Sequence, residues 1–231
     1  SYKLPEGITK PDIAIGAGHK THLHLLAVKR CLNARIVVIM KPSLPLKLFD
    51  LCVIPKHDDV KSVGNVFITN TSLVNFNLNM KKKENMALFL IGGPSKHFYW
   101  DSKKVLDQIK NISKKFKFKK LLITTSRRTP IDFINEFNKL KIKNIKLYEH
   151  TKIINDWLDK NIIKVKNIWV TNDSYSMLIE AIASGAYTDI LELKTKQGSS
   201  LSREINAIKK RIRNNITIQN EAERVSKFIQ K

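Results

Sequence analysis

The stretch Val170-Thr171-Asn172-Asp173-Ser174-Tyr175-Ser176-Met177-Leu178-Ile179-Glu180-Ala181-Ile182-Ala183-Ser184-Gly185 decides how the chain is read. It continues a short apolar run, Ile168-Trp169-Val170, that has the content of a buried strand. It then turns through polar residues into a helical pattern. Asp173 has the side chain of an N-cap, and Gly185 can take the left-handed conformation that ends a helix. Met177, Leu178, Ala181 and Ile182 share a face that packs on a sheet, whereas Ser176 and Glu180, four residues apart, share another. A helix N-terminus with free N–H groups suits a phosphate, and a carboxylate one turn deeper suits a sugar hydroxyl. A well-capped strand-turn-helix with no ligand fits the same residues, so the rest of the chain has to separate the two readings.

Other stretches repeat the strand-turn-helix pattern. Pro11 to Ile15 runs into Gly16-Ala17-Gly18 and a helical pattern containing Leu23, Leu26, Ala27, Arg30 and Cys31. Strands are expected at Arg35 to Met40, Leu51 to Ile54 and Val66 to Thr69, punctuated by Pro42, Pro45, Pro55 and Gly64. His57 beside Asp58 follows one of these strands and is a candidate base; a solvated loop pair fits equally. The segment Asn77 to Asn85, with Lys81-Lys82-Lys83, has almost no core residues and reads as a linker.

Beyond it, Met86 to Ile91 is a buried parallel strand that ends in Gly92-Gly93-Pro94-Ser95-Lys96-His97, where two glycines bring backbone N–H groups toward a ligand. Asp101 caps the helix that follows, with Val105, Leu106, Ile109, Ile112 and Phe116 inward. Leu121 to Thr125 runs into Ser126-Arg127-Arg128-Thr129-Pro130, which reads as Thr cap, N1 proline and acidic Asp132 at N3. Two arginines at a strand's carboxyl end suit a pyrophosphate or a carboxylate, and a pair of surface arginines fits the same residues. Ile145 to Tyr148 and Tyr187 to Leu193 are further strands, Ile153 to Leu158 a short helix, and Leu201 to the end is helical.

This alternation argues for two α/β lobes with parallel sheets: residues 1–80, a linker at 81–85, and residues 86–231 with the C-terminal helices. A chain of 231 residues with 42% hydrophobic content can bury a core in each lobe. No apolar run approaches the length of a bilayer span, and the start shows no apolar leader. Cys31 and Cys52 read as buried free thiols, which places the protein in a reducing compartment, the cytoplasm. The net charge of +22 comes mainly from dispersed lysine. It attracts anionic membrane surfaces and polyanions, yet no nucleic-acid module or zinc spacing is present, so nucleic acid is not expected as a partner.

Five strings carry a family resemblance: Gly16-Ala17-Gly18-x-x-Thr21, Phe49-Asp50-Leu51 through Pro55-x-His57-Asp58, Gly92-Gly93-Pro94-Ser95-Lys96-His97 through Trp100, Thr124-Thr125-Ser126-Arg127-Arg128-Thr129-Pro130, and Thr171-x-Asp173-Ser174-x-Ser176-Met177 through Glu180-Ala181. With them the chain resembles the mitochondrial-fission ELM proteins and their bacterial relatives, which are similar to GT-B glycosyltransferases with two Rossmann-like lobes. The resemblance implies a nucleoside diphosphate sugar as substrate, with no cofactor and no metal, and a lipid or saccharide acceptor. It makes Glu180 the ribose ligand. Gly92, Gly93, Ser95, Lys96, His97, Ser126, Arg127, Arg128, Asp173, Ser174 and Ser176 stand on the diphosphate side, and Gly16, Gly18 and Thr21 on the acceptor side.

On this reading His57, oriented by Asp58, takes the acceptor proton, and no Asp-x-Asp motif is present to hold a divalent ion. The alternative is a non-catalytic scaffold with the same fold, whose basic faces contact a partner or the inner face of a membrane. Two departures from the family pattern stand out. The β-α unit that usually precedes the Gly-Ala-Gly segment does not stand ahead of it here, so either the sequence is truncated or the first lobe is expected to be shortened. The usual Gly-Lys-Pro after the Glu-bearing helix is Gly185-Ala186-Tyr187.

Overall fold

The computed structural model describes residues 9–58, 60–61, 63–70, 73, 84–140, 142, 144–153, 156–213 and 221–230. The chain divides into two compact units, Ser1–Leu73 with Asn220–Lys231, and Val74–Gln219.

The first unit is built on a parallel sheet of β1 (Ile13–Ala17), β2 (Arg35–Ile39), β3 (Leu51–Pro55) and β4 (Val66–Thr69), side by side in that order. β3 is buried along its whole length, as an all-apolar central strand should be. Helix α1 (His22–Leu32) lies between β1 and β2 in the chain. A Cβ on Gly16 would fall 2.7 Å from Thr21 Oγ1 and 2.9 Å from Leu25 Cδ1, so glycine is what lets α1 sit close against β1. Gly18 has φ 79°, and its carbonyl accepts the Thr21 hydroxyl at 2.8 Å. The glycines therefore build the turn. Within α1, His22 and Leu25 are buried, whereas Leu23 is 72% exposed. The His22 ring packs edge-on against Phe49 at 5.5 Å and acts as a core residue. Cys31 consequently lies on the outer side and is exposed, which corrects the expectation of two buried thiols; Cys52 is buried.

The second unit contains β5 (Glu84–Ile91), α2 (Ser102–Lys115), β6 (Lys120–Thr125), α3 (Ile131–Asn138), β7 (Ile145–Tyr148), α4 (Trp157–Ile162), β8 (Val165–Thr171), α5 (Tyr175–Ala183), β9 (Tyr187–Leu191) and α6 (Ser200–Arg213). Its parallel strands run in the order β7-β6-β5-β8-β9. β5 is central and buried from Ala87 to Ile91, and Leu88, Leu90, Ile109, Ile123 and Phe133 are among the fully buried side chains around it. Trp169 of β8 stacks on Phe89 of β5 at 5.4 Å. Asp101 caps α2 as expected, its carboxylate accepting the Lys104 N–H at 3.1 Å. α4 starts later than expected, at Trp157, because Asp156 before it is left-handed at φ 72°.

The last helix, α7 (Glu221–Ile229), belongs to the first unit, although the sequence placed it with the second lobe. Val225 is buried with Val37, Leu51 and Val53, and Phe228 packs on Phe67 at 4.7 Å. The Arg224 guanidinium lies over the Phe67 ring and donates to the Ile68 carbonyl. The sheet face opposite α1 supplies apolar surface that α7 covers, and that match decides where the helix goes. Of the expected linker, residues 84–85 are part of β5 and residues 81–83 lie outside the described residues. Among the described residues no helix is long and apolar enough to cross a membrane.

Candidate functional site

In the second unit the chain builds outward from β5 to β6 and β7, then returns to add β8 and β9 on the other side of β5. The winding direction reverses between β5 and β8. At such a reversal the loops leaving the two strands part in opposite directions, and a crevice opens outside their carboxyl ends. Three of the stretches singled out in the sequence leave neighbouring strands at this end: Gly92–Gly93 after β5, Ser126–Arg128 after β6, and Asn172–Asp173 after β8.

The three loops meet through Asp173. Its side chain is 0% exposed, and Oδ2 lies 2.7 Å from Arg128 Nη2 and accepts the Gly93 N–H at 3.0 Å. Arg128 Nη1 also donates to the carbonyls of Gly93 and Pro94, at 3.4 and 3.3 Å. Thr129 Oγ1 donates to the carbonyls of Ile91 and Gly92, and Ser126 Oγ accepts the Arg128 N–H at 3.2 Å. The glycines are required by these approaches. A Cβ on Gly92 would sit 2.2 Å from the Asp173 carboxylate, and one on Gly93 would sit 2.0 Å from the Arg128 carbonyl oxygen.

This geometry corrects three expectations. Asp173 does not cap α5: the N-cap is Ser174, and its side chain makes no capping hydrogen bond. The Gly92 and Gly93 N–H groups are not open to a ligand, because Thr171 Oγ1, at 2.7 Å, and Asp173 accept them. Thr129 does not cap α3; Pro130 takes that place, and the Thr129 hydroxyl closes the β5 loop instead. A buried carboxylate binds its nearest cation and N–H groups before any ligand arrives, since an unpaired charge there costs several kcal/mol.

The start of α5 has a different character. The helix is nine residues long, its N-cap side chain makes no bond to it, and Ser176 in its first turn is exposed. Aligned peptide dipoles leave partial positive charge at such an end. One turn further in, Glu180 is half-buried; desolvation, and then the Asp159 carboxylate, raise its carboxyl above the usual range. Arg127 is exposed on the loop after β6, and Lys96 is exposed on the loop after β5.

The remaining expected residues disperse. Ser95 Oγ accepts the N–H groups of His97 and Phe98 and so closes its own turn. His97 Nδ1 lies 3.2 Å from Ser199 Oγ, and Lys196 donates to the Ser95 carbonyl at 2.9 Å, so this loop is tied to the segment before α6. In the first unit, Lys56–Asp58 forms a single 3-10 turn at the carboxyl end of β3, and the His57 side chain lies outside the described residues. Among the described residues no group of three or more His, Cys, Asp or Glu side chains is arranged to hold a metal ion.

Sequence reasoning missed Thr171, whose hydroxyl takes the Gly92 N–H, and Asn172, which exchanges hydrogen bonds with the Leu193 backbone. It also missed His150, beyond the end of β7, whose N–H donates to Thr125 Oγ1 at 3.0 Å. The available signal was a polar residue closing or shortly following an apolar strand: Thr171 ends β8, Asn172 follows it, and His150 stands two residues beyond β7.

No curated protein matches the chain. One solved structure similar to it is described as an S. aureus MnaA-UDP co-structure. The two are 12% identical with a TM-score of 0.49, over 91% of this chain and 70% of that one. The family model for mitochondrial fission ELM1 matches residues 2–225, nearly the whole sequence, and the chain belongs to that family.

Proposed function

We propose that the second unit binds a nucleoside diphosphate sugar at the carboxyl edge of its sheet, and that the protein is a metal-independent glycosyltransferase. The observation that carries this reading is the start of α5. A helix N-terminus without a side-chain cap emerges at the strand-order reversal, with a poorly solvated carboxylate one turn inside it. The N–H groups of Ser176 and Met177 and the helix dipole suit a diphosphate. Ribose hydroxyls suit Glu180, because a carboxylate short of solvent gains from donors. Arg127 and Lys96 supply exposed positive charge on the neighbouring loops. Asp173, Arg128 and the two glycines hold the loops in register and do not themselves bind the ligand.

In the transfer step the acceptor hydroxyl attacks the anomeric carbon while its proton passes to a base, and the bond from that carbon to the diphosphate oxygen breaks. Charge developing on the leaving diphosphate is met by the α5 N-terminus and Arg127. His57, oriented by Asp58, is the base on this reading, and the acceptor is a lipid or saccharide hydroxyl.

Isothermal titration against a panel of nucleoside diphosphates tests the proposal. Wild type should bind one of them at micromolar strength, and Glu180→Ala should bind it about tenfold more weakly. His57→Gln should keep the binding and lose transfer. Failure of every nucleotide to bind wild type rejects the enzyme. One observation favours a second reading, a non-catalytic scaffold: Arg128 and the Gly93 N–H, both expected to meet the diphosphate, are taken up by Asp173. That reading requires a melting temperature that no nucleotide changes.

A further inference from the structure

The opposite rim of the same sheet carries a different chemistry. α2 ends at Lys115, and the chain passes directly into β6 at Lys120. The string Lys114-Lys115-Phe116-Lys117-Phe118-Lys119-Lys120 places five lysines and two phenylalanines on consecutive residues. All five lysines are exposed, and among the described residues none of them has an acidic partner. Lys114 and Lys115 suit the carbonyl end of α2, which attracts cations, but that explanation does not extend to Lys117, Lys119 and Lys120.

Parallel topology adds to the cluster. The Lys119 N–H donates to the Asn85 carbonyl at 3.0 Å, and the Glu84 N–H donates to the Lys164 carbonyl at 2.8 Å. The starts of β5, β6 and β8 therefore lie together, and Lys164 and Lys166 are exposed beside them. Glu84, exposed, is an acid at these strand starts.

The phenylalanines add an apolar element. Phe116 is 37% exposed, and its ring centroid lies 5.7 Å from that of Phe118 and 5.7 Å from that of Trp169. Phe116 and Phe118 wall a cavity of about 410 Å³ that Lys110, Lys114 and Lys117 also line. That volume suits a phosphorylated headgroup with its glycerol. The Phe116 ring is tilted at 32° to Phe118 and at 45° to Trp169, and the Lys115 ammonium lies over it at 5.5 Å.

We infer that this rim is a docking surface for the phosphate-bearing headgroups of an anionic bilayer, the lysines meeting headgroup charge and Phe116 entering the interface. The surface lies at the end of the sheet away from the α5 start, so docking leaves the candidate nucleotide site open.

The test is flotation of the full chain with vesicles of phosphatidylcholine and phosphatidylglycerol, against vesicles of phosphatidylcholine alone. Lys114→Gln, Lys117→Gln and Lys119→Gln together remove three charges from the rim. Lys20→Gln, Lys47→Gln and Lys61→Gln remove three exposed charges from the first unit. Wild type should float with the anionic vesicles only, and less as salt rises. The rim set should lower the partition coefficient by about a hundredfold, at about fivefold per lysine, while the control set changes it by less than about threefold. Lys114→Glu, Lys117→Glu and Lys119→Glu should fall further still, with unchanged thermal melting. Equal losses in the rim and control sets would assign the binding to bulk charge and overturn the inference. So would equal binding to phosphatidylcholine alone. A rim set that keeps vesicle binding but loses a single-stranded polynucleotide would overturn it in favour of a nucleic-acid surface.

Discussion

Replacing Arg128 with alanine leaves a fully buried carboxylate without its guanidinium. Asp173 is 0% exposed, and among the described residues its carboxylate then keeps the Gly93 N–H while Oδ1 has no hydrogen-bond partner. Two unit charges about 4 Å apart attract by about 4 kcal/mol at an effective dielectric constant of 20. Arg128 is 42% exposed, so solvent already screens part of this, and the expected loss is about 2 kcal/mol. The three tryptophans, Trp100, Trp157 and Trp169, all lie in the second unit, so their fluorescence in urea reports on that unit. With a slope of about 2 kcal/mol per molar urea, Arg128→Ala should lower the midpoint by about 1 M. Asp173→Asn removes the charge while keeping an oxygen for the Gly93 N–H. Combined with Arg128→Ala it should therefore cost less than the two single changes added, by about 1–2 kcal/mol. Strict additivity, or a midpoint shift below about 0.2 M, would refute the view that this pair locks the three loops.

Two further outcomes follow from the structure. The Glu180 carboxyl is raised by desolvation first and by Asp159 second. The folded unit therefore holds more protons than the unfolded chain between the usual glutamate range and the raised value, and stability falls as pH rises through that window. Glu180→Gln should raise the urea midpoint at pH 7, with the gain fading below the usual glutamate range; a gain independent of pH would exclude this cause. Burial pushes the Cys52 thiol up to about 11, and Cys31 is exposed. A thiol reagent near neutral pH should label Cys31 at once and Cys52 only as the first unit unfolds; two equally fast thiols would contradict the packing of β3.

The second unit was legible because its strands are short apolar runs and its helix signals are local. Asp101 caps α2 from its own sequence neighbourhood, and the carboxyl ends of β5, β6 and β8 could be recognised by the polar residues that follow them. Long-range matters were not legible. Asp173 has the side chain of a helix cap and also that of a buried ion-pair partner, and only the arrival of Arg128 from the loop after β6, two strands away in the sheet, decides between them. The destination of α7 depends on which sheet face lies bare, which no property of residues 221–229 reveals on its own. α1 has leucines on more than one side, so its pattern left the inward face ambiguous until His22 packed on Phe49.

Amide hydrogen exchange with and without a saturating nucleoside diphosphate tests the proposed site most directly. Bound diphosphate should slow exchange at Ser176 and Met177 and in the Ser126–Arg128 loop, and leave the Lys114–Lys120 rim unchanged. Protection that falls elsewhere, or none at all at the start of α5, would contradict a diphosphate site there.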